Sequence, residues 1–330
     1  MKILILRFSS IGDIILTTPV VRCIKKQIPD AEIHYCTKKN FVSILENNPY
    51  IDKIIPLENS LKELKQKLKA EKYDYILDLH NNLRTLRIKL SFLFSSKISS
   101  FNKINIKKLQ AVKFKKLSSL PDIHIVDRYF SATKKLGVIN DNLGLDYFLP
   151  TIFSCKNLPD EFAKNYAAFV IGAQFQTKQL PVSKAIEICQ KSPKQKFVVI
   201  GGKEDFQRGK EIAEACSNVL NVCGEYSLDG SAFLVKNARL VISNDTGLMH
   251  IAAAFNKKII SIWGNTIPEF GMYPYMPQHP ENYSIQEVKD LWCRPCSKIG
   301  FKTCPKGHFN CMMEQNVAEI VAEIKSFESV

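Results

Sequence analysis

The chain has no apolar stretch approaching the ~20 residues a membrane-crossing helix needs. Its first residues, Met1-Lys2-Ile3-Leu4-Ile5-Leu6-Arg7, read as a strand rather than as a basic segment followed by an apolar export signal. Both absences point to a cytoplasmic protein, in which ten cysteines do not imply disulfides. Signature motifs of several enzyme classes are also missing. Without GxGxxG a nicotinamide dehydrogenase is disfavoured, and there is no GxxxxGK[ST], GxSxG or HExxH. No DxD triplet is available to hold a divalent metal on a pyrophosphate, so neither a catalytic metal nor another cofactor is expected. Zinc-finger spacing, RNP-like aromatic pairs and a GxxG clamp in a suitable context are absent, which argues against nucleic acid as a partner. Acidic residues are missing from one long segment. Between Arg84 and Lys116 there is no Asp or Glu, while Arg84, Arg87, Lys89, Lys97, Lys103, Lys107, Lys108, Lys113, Lys115 and Lys116 fall there. Leu90, Phe92, Leu93 and Phe94 interleave with them, a combination suited to an anionic substrate or an anionic membrane face. A solvated Lys-rich face is the plainer alternative.

The 330 residues favour two domains of ~150 residues each. A 45% apolar and 24% charged composition is ordinary for a globular protein, and the formal net charge is +14. Strand-like runs at Ile3–Leu6, Glu32–Cys36, Ile51–Leu57 and Tyr73–Leu79 alternate with helical segments at Thr17–Gln27, Phe41–Glu46 and Leu61–Lys69. The second half repeats the plan. Strands are expected at Ala167–Gly172, Phe197–Gly201, Val219–Val222, Leu240–Ser243 and Ile259–Trp263, with helices at Ser183–Lys191, Gly209–Cys216, Gly230–Lys236 and Leu248–Phe255. Such alternation implies an α/β fold with parallel sheets covered by helices. Leu149–Pro159 reads as the linker, and Gln315–Phe327 as a terminal helix.

Two loops carry the strongest chemical signal. Asn244-Asp245-Thr246-Gly247 lies between a β-branched run and a helix body, where unpaired N–H groups favour an anion such as phosphate. Phe8-Ser9-Ser10-Ile11-Gly12-Asp13 lies in the same position after the first strand. Each loop brings an Asp to a strand end, suggesting two domains that face one cleft. Asp13 is the candidate general base, with Gly12 leaving the approach to a substrate open; helix capping is the competing role for Asp13. Lys178, next to Thr177 in a Gly-led polar loop, suits the charge of a leaving phosphate, although a loop lysine is often merely solvated. Glu204, after a third strand, either accepts ribose hydroxyls or caps a helix. Cys293, Cys296, Cys304 and Cys311, with His308 among them, admit three readings: a structural zinc site, free thiols pinning a loop, or a labile redox pair. Cys23, Cys36, Cys155, Cys189, Cys216 and Cys223 are scattered singly, as core or surface thiols are.

FSSIGDIILTTPVVRCIKK (8–26), Thr177-Lys178-x-x-Pro181, and SNDTGLMHIAAAFNKKIISIWGNTIP (243–268) resemble glycosyltransferase family 9, the ADP-heptose:lipopolysaccharide heptosyltransferases. HIVDRYFSATKKLGV (124–138) and CPKGHFNCM (304–312) extend the resemblance over most of the chain. It implies a GT-B fold: a Rossmann-like acceptor domain over residues 1–155, a Rossmann-like nucleotide-sugar domain over 156–314, and a terminal helix over 315–330. It also implies inverting, metal-independent transfer of heptose from an ADP-sugar to the anionic, Kdo-containing core of lipopolysaccharide. By position, Asp13 is the implied base. Thr177 and Lys178 meet the donor phosphates, Glu204 the ribose, Leu228 the adenine and Asp245 the sugar, while Thr246, Gly247 and His250 surround the diphosphate. Gly12 and the basic region with Arg84 and Arg87 fall on the implied acceptor side. Members often carry a Trp near the Lys178 loop, where this chain has Gln174, Phe175 and Leu180. Attachment to the inner membrane, if present, is expected to be peripheral, through the residues around Phe92–Phe94.

Overall fold

The computed structural model describes residues 1–153 and 156–327; Cys155, at the expected domain boundary, and residues 328–330 lie outside it. The chain forms two compact units, one of Met1–Ile104 with Ile123–Pro150, the other of Asn105–Asp122 with the chain from Thr151 onward.

The first unit starts with β1 (Lys2–Leu6), α1 (Ile11–Ile15) and α2 (Thr18–Gln27), then β2 (Glu32–Lys38) and β3 (Lys53–Leu57). There follow α3 (Leu61–Ala70), β4 (Tyr75–Asp78), α4 (Leu83–Lys89) and β5 (Lys97–Ser100). Its strands pair in the order β3-β2-β1-β4-β5, all in parallel. β1 is apolar on both faces, and Ile3, Leu4, Ile5 and Leu6 are fully buried, as a central strand between two helical layers requires. The helix expected at Thr17–Gln27 is α2, and a separate α1 precedes it. Pro19 has no N–H to continue the ladder, and the Thr17 and Thr18 hydroxyls donate instead to the Ile14 and Ile15 carbonyls at 2.6 and 2.7 Å. α3 is N-capped by Ser60, whose Oγ accepts from the Glu63 N–H.

After β5 the chain leaves this unit as α5 (Asn105–Phe114) and returns to it as α6 (Ile125–Phe130). The basic segment, read from sequence as one region on the acceptor side, is therefore divided between the two units. The cause is apolar packing and carbonyl capture by the second unit. Ala111 is buried against Ile267 and Phe270, and Lys115 Nζ donates to the Cys293 and Pro295 carbonyls at 2.8 and 2.7 Å.

The second unit continues with β6 (Tyr166–Val170), α7 (Val182–Gln190), β7 (Lys196–Ile200), α8 (Phe206–Ala215), β8 (Val219–Asn221) and α9 (Leu228–Asn237). It ends with β9 (Leu240–Asn244), α10 (Gly247–Ala254), β10 (Lys258–Trp263), β11 (Tyr283–Glu287), α11 (Asn310–Met313) and α12 (Val317–Ser326). The strand order is β11-β10-β9-β6-β7-β8, again parallel throughout. Its core joins Phe169, Phe197, Val199, Ile242, Ile260 and Ile262 of the sheet to Ile320 and Ile324 of α12.

Candidate active site

In an open parallel sheet, ligands bind beyond the carboxyl ends of the strands where the strand order reverses. That point lies between β1 and β4 in the first unit and between β6 and β9 in the second.

In the first unit, Arg7 directly follows β1 and is buried. Its Nε donates to the Ser9 carbonyl at 2.9 Å, and Nη1 donates to the Leu79 carbonyl at 2.5 Å and to Tyr129 Oη at 3.0 Å. Nη2 lies 2.6 Å from Asp13 Oδ1. The other carboxylate oxygen, Oδ2, accepts from the Ser10 hydroxyl at 2.8 Å and the Ser10 N–H at 3.2 Å. Of the two roles left open for Asp13 by the sequence, the structure shows the capping one: Oδ2 closes a capping box on α1, while Oδ1 holds the Arg7 guanidinium. Burial works against its charged form, but Arg7 and the Ser10 hydrogen bonds outweigh it and keep the carboxyl below its ordinary value. Asp13 is 22% exposed and Arg7 8%, so the acid is the accessible member of the pair. Gly12, expected to leave the approach open, is itself buried.

Sequence analysis singled out neither Arg7 nor His80 here, and Lys103 appeared only as one of ten basic residues between Arg84 and Lys116. His80 follows β4, and its backbone N–H donates to Asp78 Oδ1 at 3.0 Å. Its Nδ1 is buried with no hydrogen-bond partner among the described residues. Burial, with Arg7 and Lys103 adding to it, pushes the imidazole down to about 4 and leaves it neutral at physiological pH. Lys103 lies just past β5, half-buried. The signal was positional: all three follow the adjacent strands β1, β4 and β5, of which β1 and β4 are apolar runs. Arg84 and Arg87, by contrast, are exposed on α4.

In the second unit, Lys178 sits on a one-turn 3-10 helix after β6, and its Nζ is 2.5 Å from Asp245 Oδ2 at the end of β9. The Thr266 hydroxyl donates to the same oxygen at 2.9 Å. Asp245 is 10% exposed and Lys178 17%, so here the cation is the more accessible member. Asn244 joins the two strand ends. Its Nδ2 donates to the Ile171 carbonyl at 3.1 Å, and its Oδ1 accepts from the Leu180 N–H at 3.2 Å. Arg208 holds the Lys178 loop by donating to the carbonyls of Ile171 and Leu180 at 3.2 and 2.9 Å. Neither brace was singled out from sequence.

Thr246 is the N-cap of α10 and Gly247 its first residue, and the Thr246 side chain makes no capping bond. His250 is buried one turn further along. Glu204 is exposed after β7. The capping role left open for it belongs to Asp205, whose Oδ2 accepts from the Gly202 N–H at 3.0 Å. A Cβ on Gly172 would stand 2.5 Å from that same Oδ2, so only glycine fits there. Leu228, half-buried, opens α9 after β8. Asp245, Lys178, Glu204 and Leu228 therefore follow four adjacent strands, β9, β6, β7 and β8. Thr177 is committed elsewhere: its buried hydroxyl donates to the Phe301 carbonyl at 3.1 Å and accepts from the Phe301 N–H at 2.8 Å. It anchors the Lys178 loop to a later segment.

Cys293, Cys296, Cys304 and Cys311 form no disulfide among the described residues. Cys293 Sγ lies 3.6 Å from His308 Nε2, and the Cys296 thiol donates to the Cys293 carbonyl at 3.0 Å. Burial raises Cys296 to about 11 and Cys311 to about 12, so both are protonated at neutral pH. Among the described residues, the three-ligand group within 4.8 Å is Glu32, His34 and Glu71, not the cysteines. Lys2 and Lys53 already balance the charge of those two glutamates.

A family model described as glycosyltransferase family 9 (heptosyltransferase) matches residues 61–304. The chain belongs to glycosyltransferase family 9. It is 29% identical to lipopolysaccharide heptosyltransferase 1 of Campylobacter coli over 292 residues, covering 81% of this chain and 84% of the relative. To lipopolysaccharide heptosyltransferase 2 of Escherichia coli K12 it is 22% identical over 296 residues, covering 82% and 84%. Among solved structures, a family 9 glycosyltransferase from Veillonella parvula superposes with a TM-score of 0.77 at 21% identity, covering 99% of this chain and 96% of that one. The E. coli heptosyltransferase WaaC, solved with ADP, superposes at 0.71 with 20% identity, covering 99% and 100%. The fold of this family 9 member is thus the GT-B class, two Rossmann-like α/β units with parallel sheets.

Proposed function

We propose that this family 9 member is an inverting heptosyltransferase that moves heptose from ADP-heptose to the anionic inner core of lipopolysaccharide. The acceptor hydroxyl oxygen attacks the anomeric carbon, the bond from that carbon to the phosphate oxygen breaks, and ADP leaves with the electron pair. Asp13 takes the hydroxyl proton. Its Arg7 partner keeps it ionised and fixed in direction, so no reorientation is needed during reaction. Lys178 and the N-terminal N–H groups of α10 stabilise the charge that develops on the leaving diphosphate. An ammonium has three protons, and Asp245 engages Lys178 at one oxygen, leaving others for a phosphate. Glu204 and Leu228 receive the ribose and adenine, Asp245 the sugar, and Thr246, Gly247 and His250 line the diphosphate; Thr177 contributes by positioning Lys178. The reaction needs no metal in this reading, which the missing DxD triplet supports.

The observation that carries this reading is the pair of acid–base contacts at the two switch points, each with its functional member the more exposed. The names of the curated relatives support the sugar and acceptor, and the ADP solved with WaaC supports the nucleotide. The domain limits 1–155, 156–314 and 315–330 are retained as a functional division, with α5 excepted. Titration calorimetry with ADP, UDP and GDP in metal-free buffer tests the donor. Selective ADP binding is expected, and preference for UDP or GDP would overturn the heptosyl assignment.

We place the enzyme in the cytoplasm, on the inner face of the membrane. No helix among the described residues is long and apolar enough to cross a bilayer. α4 and the turn after it expose Leu83, Leu86, Leu90, Leu93 and Phe94 beside Arg84 and Arg87, the composition of a peripheral contact with anionic lipid. Phe92 corrects the expectation for this segment: it is buried in the core beside Tyr73 and takes no part in that surface.

A further inference from the structure

Five charged groups gather at the carboxyl edge of β1, β4 and β5: Arg7, Asp13, Asp78, Lys89 and Lys103. Two pairs account for four of them. Arg7 lies 2.6 Å from Asp13, and Lys89 Nζ lies 2.8 Å from Asp78 Oδ2. Asp78 is fully buried, and its other oxygen accepts from the N–H groups of His80 and Asn81 at 3.0 and 2.6 Å. That leaves Lys103. It follows β5 by three residues and is tied to the same edge, since the Phe101 N–H donates to the Asp78 carbonyl and Asn81 Nδ2 to the Phe101 carbonyl at 3.1 Å. No hydrogen bond or contact ion pair engages its Nζ among the described residues, although it is half-buried. His80 does not compensate it, being neutral.

We propose that Lys103 binds an oxyanion of the acceptor, a carboxylate or a phosphate, and so sets the reacting hydroxyl beside Asp13. The proposal rests on the acceptor reading of the preceding subsection and names its recognition element. A half-buried cation without a counter-ion is costly in the free protein, and an entering anion removes that cost. Burial and the neighbouring Arg7 lower the affinity of Lys103 for its proton, with Asp78 and Asp13 opposing, the pattern of a cation with too little negative charge around it. The contrast with Arg84 and Arg87 is one of setting. Those side chains are exposed on α4, where solvent and salt screen them, whereas an ammonium in a partly desolvated edge discriminates an anion strongly.

The test compares wild type with Lys103→Gln and Lys103→Arg. In Lys103→Gln the acceptor KM should rise about 10–100-fold, the loss of one charge-assisted hydrogen bond. The donor KM should stay put, and Lys103→Arg should recover most of the loss. The thermal midpoint of Lys103→Gln should be unchanged or higher, since an uncompensated charge is removed; a structural lysine would lower it. Two modified acceptors separate the sources. If the anion is a carboxylate, esterified acceptor should erase the difference between wild type and Lys103→Gln; if it is a phosphate, phosphatase-treated acceptor should do so. Equal acceptor KM in wild type and Lys103→Gln, or a difference that persists with both modified acceptors, overturns the proposal. Should wild type transfer no heptose at all, the reading of function fails on its own. Calorimetric titration of both proteins with the lipopolysaccharide core then decides Lys103: tighter binding by wild type supports it, and equal binding refutes it.

Discussion

The two units set an acid against a base at corresponding places, yet they build the pair in opposite senses. In the first, Arg7 and Asp13 belong to one strand–loop–helix passage, with the base buried behind and the acid presented. In the second, Lys178 and Asp245 come from separate strands, with the acid set deeper and the ammonium presented. The exposed member in each case is the one that its proposed role needs, a proton acceptor in one and a phosphate partner in the other. The buried member is a support. A paired ion at a strand end therefore does not itself report function; which partner faces outward does.

The largest effect should come from removing the presented acid. Asp13→Asn keeps the shape and is expected to cost 10²–10⁴ in kcat, the usual contribution of a positioned base. Nucleotide affinity, which the proposed function assigns to the other unit, should hold in the same calorimetric titration. Unimpaired turnover would take Asp13 out of the mechanism. Removing the presented cation should give the converse pattern. Lys178→Ala strands Asp245 and should weaken ADP binding by ~2–5 kcal/mol, as truncating one member of a largely buried pair does. An unchanged ADP affinity would break the parallel between the units.

A subtler change sharpens the comparison by acting on a support. Arg7→Met withdraws the charge that holds Asp13 low, so the acid limb of the pH profile of kcat/KM should move to higher pH. The same linkage affects stability. Because the folded Asp13 carboxyl lies below its unfolded value of ~3.9, its contribution is complete above that value and is lost as pH falls through the lower folded one. Thermal midpoints of wild type and Asp13→Asn measured from pH 7 to pH 2 should therefore converge at the acid end. The smallest effect on folding belongs to Phe94→Ser. That ring is fully exposed, so stability should change by less than ~0.5 kcal/mol while sedimentation with anionic vesicles falls.

Most of both sheets was legible because central strands are continuous apolar runs, and those runs end at the loops that carry chemistry. Of the four edge strands, β3 and β8 were legible and the other two were not. β5, Lys-Ile-Ser-Ser, and β11, Tyr-Ser-Ile-Gln-Glu, are short and only partly buried, so neither shows an apolar run or a clean alternation. Missing β5 left Lys103 undistinguished among ten basic residues, since no strand end was recognised in front of it. Asp13, Lys178 and Asp245 could be picked out one by one from their loops. That Lys178 meets Asp245 was illegible, because the contact depends on β6 and β9 being neighbours although 67 positions separate the residues. The zinc option for the cysteines arose from spacing alone, which carries no information on how far apart folding leaves the sulfurs.

The α5 excursion has a consequence for how the protein is made. The first unit has all its residues once Pro150 has left the ribosome, but α5 still lacks Ile267 and Phe270, the side chains that cover Ala111. At ~5–20 residues per second, on the order of ten seconds pass before they emerge. During that interval a basic, partly apolar helix hangs from a unit that is otherwise able to close. Translation speed across the intervening stretch thus becomes part of the folding problem, and slowing it would lengthen the time in which the nascent chain offers that helix to the wrong partner.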